Sequence, residues 1–270
     1  MLDGVLSALA NLFVQIVFTA GIVGLCGMFI SFCNRCFYDC LGGTAFFIVR
    51  LSGIIGTPVH ELSHALMCLL FGHRITKVQV FNLKKRARTL GFVEHTYNPK
   101  NLWARLGNLF IGIGPIFSGL GVIILMLWLC FRSQCNDYLA SSETLVASGA
   151  DVSEIFKEVF ALLTSLPSAF ADNTIPAILA MVVILPVSLH VSLSAADVKG
   201  SLGAFPIYAL LALVFSAITF LAGVAEPITA ELHLWGLRLL SLFCLIIAFA
   251  LVWVAIALLI RIVRTLISIF

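Results

Sequence analysis

The sequence predicts an all-α polytopic membrane protein of about six transmembrane helices. Three observations carry that expectation. Of 270 residues, 61% are hydrophobic and only 11% charged, with mean hydropathy +1.12; a soluble domain is about half apolar and a quarter charged. Six apolar runs, at residues 6–32, 44–71, 106–131, 174–195, 205–225 and 234–260, each reach the ~20 residues that span a bilayer as a helix. The short alternating segments of a membrane β-barrel are missing, which leaves helices as the way to satisfy the backbone in lipid. The whole chain, 1–270, reads as a single integral-membrane domain without repeat, linker, cleaved signal peptide or nucleic-acid-binding feature.

The connections are unequal in charge. After the second run come Arg74, Lys77, Lys84, Lys85, Arg86, Arg88, Lys100 and Arg105, against the single acid Glu94. An even number of crossings adds Lys199, Arg261 and Arg264 to that side. The other side receives Arg35, Arg132 and Lys157 with Asp137, Glu143, Asp151, Glu154, Glu158 and Asp172. The positive-inside rule then expects the basic segment and both termini in the cytoplasm, in a plasma (inner) membrane.

Two connections have local patterns. Residues 77–83 and 89–97 alternate at period two around the basic 84–88, which suggests a β-hairpin with its tip at anionic headgroups, or else a solvated loop. In the outer connection, Asp151 to Glu154 resembles a capping box. Ile155, Phe156, Val159, Phe160, Leu163 and Leu166 follow at helical spacing, as expected of an interfacial amphipathic helix. Cys33, Cys36, Cys40, Cys130 and Cys135 fall at outer helix ends. Disulfides, a metal site or free thiols all fit that placement. Cys26, Cys68 and Cys244 lie in apolar runs and read as core, although Cys68, one turn from His64, is also a possible partner in a structural metal site.

The chemistry concentrates in the second run, where His60-Glu61-Leu62-Ser63-His64 matches His-Glu-x-x-His. Positions i and i+4 share a helix face, so both imidazoles can reach one Zn²⁺ ion. Glu61 is then placed to act as general base on a metal-bound water. Ionisable groups at this depth are costly and point to function.

A catalytic zinc needs a third protein ligand. Asp197, near the cytoplasmic end of the fourth run, matches the histidines in depth. His190, seven residues earlier, is the competitor, either as ligand or as a polar contact between helices. Asn108 and Ser118 in the third run are polar candidates for assisting an oxyanion. Gly107, Gly112, Gly114, Ser118, Gly119 and Gly121 in that run permit close helix approach.

These residues together resemble the site-2 protease family of intramembrane zinc metalloproteases. His60-Glu61-x-x-His64 is similar to the family's first motif, and Gly114-Pro115-Ile116-Phe117-Ser118 to its Gly-Pro-x-x-Asn element, with Ser118 in place of Asn. The segment ending in Asp197 resembles the third-ligand motif, with its glycine displaced to Gly200. The resemblance covers the core runs 44–71, 106–131 and 174–200. It implies hydrolysis of membrane-embedded protein substrates, with the strands after the second run pairing with an extended substrate. A transporter using the His/Asp cluster, or a silent helix-binding scaffold, are the competing readings.

Overall fold

The computed structural model describes residues 2–82, 89–149 and 151–269. The first apolar run forms one long rod: α1 (Leu2–Ile16), a π-helical turn (Val17–Gly21) and α2 (Ile22–Leu41) follow without a break. Gly42, at φ +55°, supplies the left-handed turn into α3 (Gly43–Leu70), which returns antiparallel. A hairpin of β1 (Arg74–Gln79) and β2 (Phe92–Thr96) leads to α4 (Leu102–Cys130). Asn101 caps α4, accepting hydrogen bonds from the backbone N–H of Trp103 and Ala104. This satisfies two donors that the first turn leaves free. Next come α5 (Arg132–Ser148), α6 (Val152–Asp172), α7 (Thr174–His190), α8 (Ala195–Leu221) and α9 (Ala225–Ile269).

Five helices among the described residues are long and apolar enough to cross a membrane, Thr174–His190 being a shorter apolar helix. This is an all-α polytopic membrane protein with a small two-stranded sheet. Six equal crossings were expected; the difference lies at the fourth run. It stops being helical at His190, and Ser194 and Asp197 cap the start of α8 by a reciprocal capping box. Along α4 the partners then descend steadily. Val187 and Val191 pack at Gly119, Asp197 at Gly112, and Ser201 bonds the carbonyl of Leu109. Helices α7 and α8 therefore continue in one direction as a single interrupted traverse.

That changes the parity of the chain. Phe18 packs on His233, Phe37 on Trp253, and Thr44 hydrogen-bonds Arg264, so α9 runs parallel to α2. The ends of the chain lie at opposite ends of the bundle, correcting the expectation that both share one side. Arg261 and Arg264 accordingly lie at the end of α3 away from the hairpin.

The larger of two core clusters among the described residues is shared by α2, α4, α5, α6, α7 and α9 and centred on Ile30, Ile116, Ile123, Ile184, Phe243 and Ile246, all fully buried; a smaller one gathers Phe37, Leu41, Ala45, Leu189 and Ala257. The outer connection is a pair of helices, not one. Polar α5 has little apolar periodicity, and was legible only from its contacts. It buries Cys135 and Tyr138 and hydrogen-bonds Tyr138 and Ser142 to Ser241 of α9. In α6, Ile155, Val159 and Leu166 of the expected apolar face are buried in the core, whereas Phe156 and Phe160 of the same expected face are exposed. Asp151 is the N-cap residue but makes no side-chain cap bond. All eight cysteines are free thiols, so no disulfide joins Cys33, Cys36, Cys40, Cys130 or Cys135.

The hairpin forms, with strands at 74–79 and 92–96 rather than 77–83 and 89–97. Gly72, at φ +70°, ends α3 sharply, and the chain is extended from Arg74 onward. Pairing is antiparallel, Arg74 opposite Thr96 and Gln79 opposite Phe92, with an irregularity between Ile75 and Lys77. The basic tip, Lys84 to Arg88, lies outside the described residues.

Candidate metal centre

The site is assembled where α3, α4 and the α7–α8 interruption meet. Close approach depends on glycines. A Cβ on Gly56 would stand 2.5 Å from the Pro186 carbonyl and the His190 ring, and one on Gly112 would stand 2.5 Å from the Asp197 carbonyl. Gly107 and Gly119 meet Phe71 and Val191 just as closely, and Gly114 touches Met67, whereas Gly121 faces open space. Small residues therefore do set helix separation in α4, Gly121 excepted.

Each histidine of the pair is oriented by a carbonyl. His60 Nδ1–H donates to the backbone oxygen of His190 at 2.7 Å, and His64 Nδ1–H donates to that of Ile111 at 2.8 Å. Both Nε2 atoms are left pointing at one another, 3.1 Å apart. With the ring protons committed to Nδ1, two lone pairs face each other, an arrangement that a shared proton or a metal ion between them relieves. Asp197 supplies the counter-charge: its Oδ1 lies 3.4 Å from His64 Nε2 and its Oδ2 3.8 Å from His60 Nε2. The three donor atoms lie within 4.8 Å of one another. Two nitrogens bound to one tetrahedral zinc at ~2.0–2.1 Å stand roughly 3.3–3.4 Å apart, so the donor set fits that ion. Carbonyl-bound Nδ1 atoms are the usual means of fixing a ligating tautomer.

Glu61 is next to this cluster and only 7% exposed. The hairpin covers it: a Cβ on Gly91, just before β2, would lie 2.6 Å from Glu61 Cγ and 2.8 Å from Thr57 Cγ2. A cleft of about 360 Å³ reaches His60 and Glu61, lined by Asn34, Arg35, Tyr38 and Val49 of the helices and by Thr89 to Gly91 of the hairpin.

Of the residues singled out from sequence, the structure brings together His60, Glu61, His64 and Asp197. Asp197 stands in the first turn of α8, not at the end of the preceding helix as expected. The His190 side chain is directed elsewhere, its Nε2 3.0 Å from Ser52 Oγ and its Nδ1 3.4 Å from Thr57 Oγ1. Its contribution is the backbone carbonyl. Ser118 Oγ donates to the carbonyls of Pro115, in its own helix, and Val59, in α3, while Asn108 donates to that of Arg105, one turn back in α4. Sequence reasoning missed Asn34, which donates to the Leu189 carbonyl at 3.0 Å and to Ser192 Oγ at 2.7 Å, holding the interruption open. An amide just past the first apolar run, beside Arg35, was its only signal.

Fold and site define a polytopic helical membrane protein with a three-donor cluster and a buried carboxylate at an interrupted helix. Comparison with protein-family models, curated proteins and solved structures finds no match.

Proposed function

We propose that the protein is an intramembrane zinc metalloendopeptidase of the site-2 protease type, acting on transmembrane or membrane-associated protein substrates. The observation that carries this reading is the facing pair of Nε2 atoms with Asp197 beside them and Glu61 one residue from His60. His60, His64 and Asp197 would hold the ion. A bound zinc supplies a water of pKa near ~7 and polarises the scissile carbonyl. Glu61 accepts the proton of the attacking water and returns it to the leaving amine. Gly91 packs directly over that carboxylate beside the cleft, which limits the positions it can take up.

The hairpin supports the substrate assignment. Thr89 to Gly91 line the cleft beside Glu61, so an extended peptide can hydrogen-bond to exposed backbone there. A helical substrate hides its amides and must unwind locally before attack; strand addition compensates for the helical bonds it gives up. The basic residues Arg74, Lys77, Lys100 and Arg105 around the hairpin support a cytoplasmic placement of that face, in a plasma (inner) membrane.

The test compares membrane proteomes of cells carrying the wild-type protein or Glu61→Gln. New protein termini inside or beside transmembrane segments are expected only with the wild type. Identical termini in both would overturn the assigned chemistry.

A further inference from the structure

A second donor cluster lies at the cytoplasmic end of α3, apart from the His60–His64–Asp197 group. Its construction follows from the way that helix stops. Gly72 adopts the left-handed conformation, His73 N–H donates to the Cys68 carbonyl at 2.8 Å, and Gly72 N–H donates to that of Leu69 at 3.3 Å. This is a Schellman ending, which places the third residue from the helix end against the second residue beyond it. Those positions commonly hold an apolar pair. Here they hold Cys68, fully buried, and His73, 4% exposed.

The third donor comes from the hairpin. In β2, Val93 and His95 share the more buried face, as period-two alternation requires, and His95 meets His73 with Nδ1 to Nδ1 at 2.9 Å. The other nitrogen of His73, Nε2–H, donates to the Ala104 carbonyl at 2.7 Å. The His73 Nδ1 therefore presents a lone pair to His95, oriented by a carbonyl in the same way as the ligands of the first site. The Tyr97 ring stacks on His73 at 4.7 Å and closes one side. Cys68 Sγ and the two imidazoles lie within 4.8 Å of one another.

We infer that Cys68, His73 and His95 form a second metal site, for a borderline-soft divalent ion such as Zn²⁺, which ties the β-hairpin to the ends of α3 and α4. One thiolate and two neutral imidazoles are a zinc-type donor set. Three protein donors leave a fourth position to water, so the ion is exchangeable. The thiol proton is released when the metal binds. The consequence is positional: the same hairpin carries Gly91 onto Glu61, so a metal at this clasp fixes the strand that covers the first site.

Cobalt titration of the purified full-length protein in detergent tests the site, because of the two donor clusters among the described residues this one alone contains sulfur. His60→Ala/His64→Ala, which removes the first site, is expected to bind one Co²⁺ with a thiolate-to-cobalt charge-transfer band in the near ultraviolet. Adding Cys68→Ser should abolish the band. Should Cys68→Ser fail to fold, His95→Gln in the same background serves instead, and should weaken binding at least tenfold. No band in the double variant, a band that survives Cys68→Ser, or unchanged affinity in His95→Gln would each overturn the inference. Persistence of cleavage in Glu61→Gln would leave this band untouched, so the two readings fail separately.

Discussion

The Nδ1 of His60 lies 2.7 Å from the carbonyl oxygen of His190, and that carbonyl is available because the helix stops there. In a continuous helix it would accept the N–H of Ser194. That N–H instead donates to Asp197 Oδ2 at 2.7 Å. One interruption thus frees the group that orients His60 and starts the helix that brings in Asp197.

If His190 acts through its backbone, His190→Ala leaves zinc affinity within about tenfold of wild type, since the ring bonds Ser52 and Thr57 and not the donor cluster. Asn34→Ala removes the donor to Leu189 and loosens the interruption; zinc affinity should fall by about 10–100-fold, the usual range for groups that orient ligands. Titration against a competing chelator measures both. Loss of zinc in His190→Ala would show the ring to be a ligand after all.

Gly91→Ala places a methyl group 2.6 Å from Glu61 Cγ. Either the hairpin or the carboxylate must move, at a cost of about 1–3 kcal/mol for overpacking. Cleavage should drop while zinc content is unchanged. Full activity in Gly91→Ala would show that the hairpin does not position Glu61.

Gly112→Ala and Gly121→Ala form a matched pair on α4. The first drives a Cβ into Asp197 and Ser201, the second meets nothing within 4 Å. Thermal unfolding and zinc content should both fall for Gly112→Ala and remain near wild type for Gly121→Ala. Equal behaviour of the two would remove the close approach of α8 from the account.

The outer helices offer a pH test. The Arg238 hydrogen bonds to the Glu143 carboxylate, 2.7 Å at the shortest, hold its pKa below the ordinary 4.5. A depressed carboxylate stabilises the fold above its unfolded pKa, and that contribution is lost as pH falls through the folded value. Glu143→Gln should therefore flatten the decline in melting temperature below the ordinary carboxylate range. The effect is small, because the carboxylate is exposed and screened.

Much of the site was legible because His60, Glu61 and His64 obey a helical period that needs no tertiary information. Asp197 was found by depth, although the helix carrying it was misread. Residues 174–195 average as one apolar run despite Ser188, His190, Ser192 and Ser194, so hydropathy does not register an interruption at Val191. The Ser194-x-x-Asp197 capping pair was the available signal for a new helix start. Parity failed for the same reason: reading one interrupted traverse as two crossings reversed α9. The Cys68–His73–His95 cluster is hidden in the sequence because helical spacing puts Cys68 one turn from His64, whereas its neighbours in space are His73 and His95. The Gly72 ending instead turns His73 onto it, and strand register adds His95. Polar α5 carries no periodic signal and docks through Tyr138 and Ser142, contacts that only the tertiary structure brings about.

The most direct measurement is zinc per chain, by elemental analysis, in purified wild type, His64→Ala, Asp197→Ala and Glu61→Gln. Glu61→Gln should match wild type in zinc yet lack proteolysis, with the roughly 10²–10⁴-fold loss expected for a missing general base. His64→Ala and Asp197→Ala should each hold one equivalent fewer. Equal zinc in all four proteins, or none in the wild type, would contradict the account.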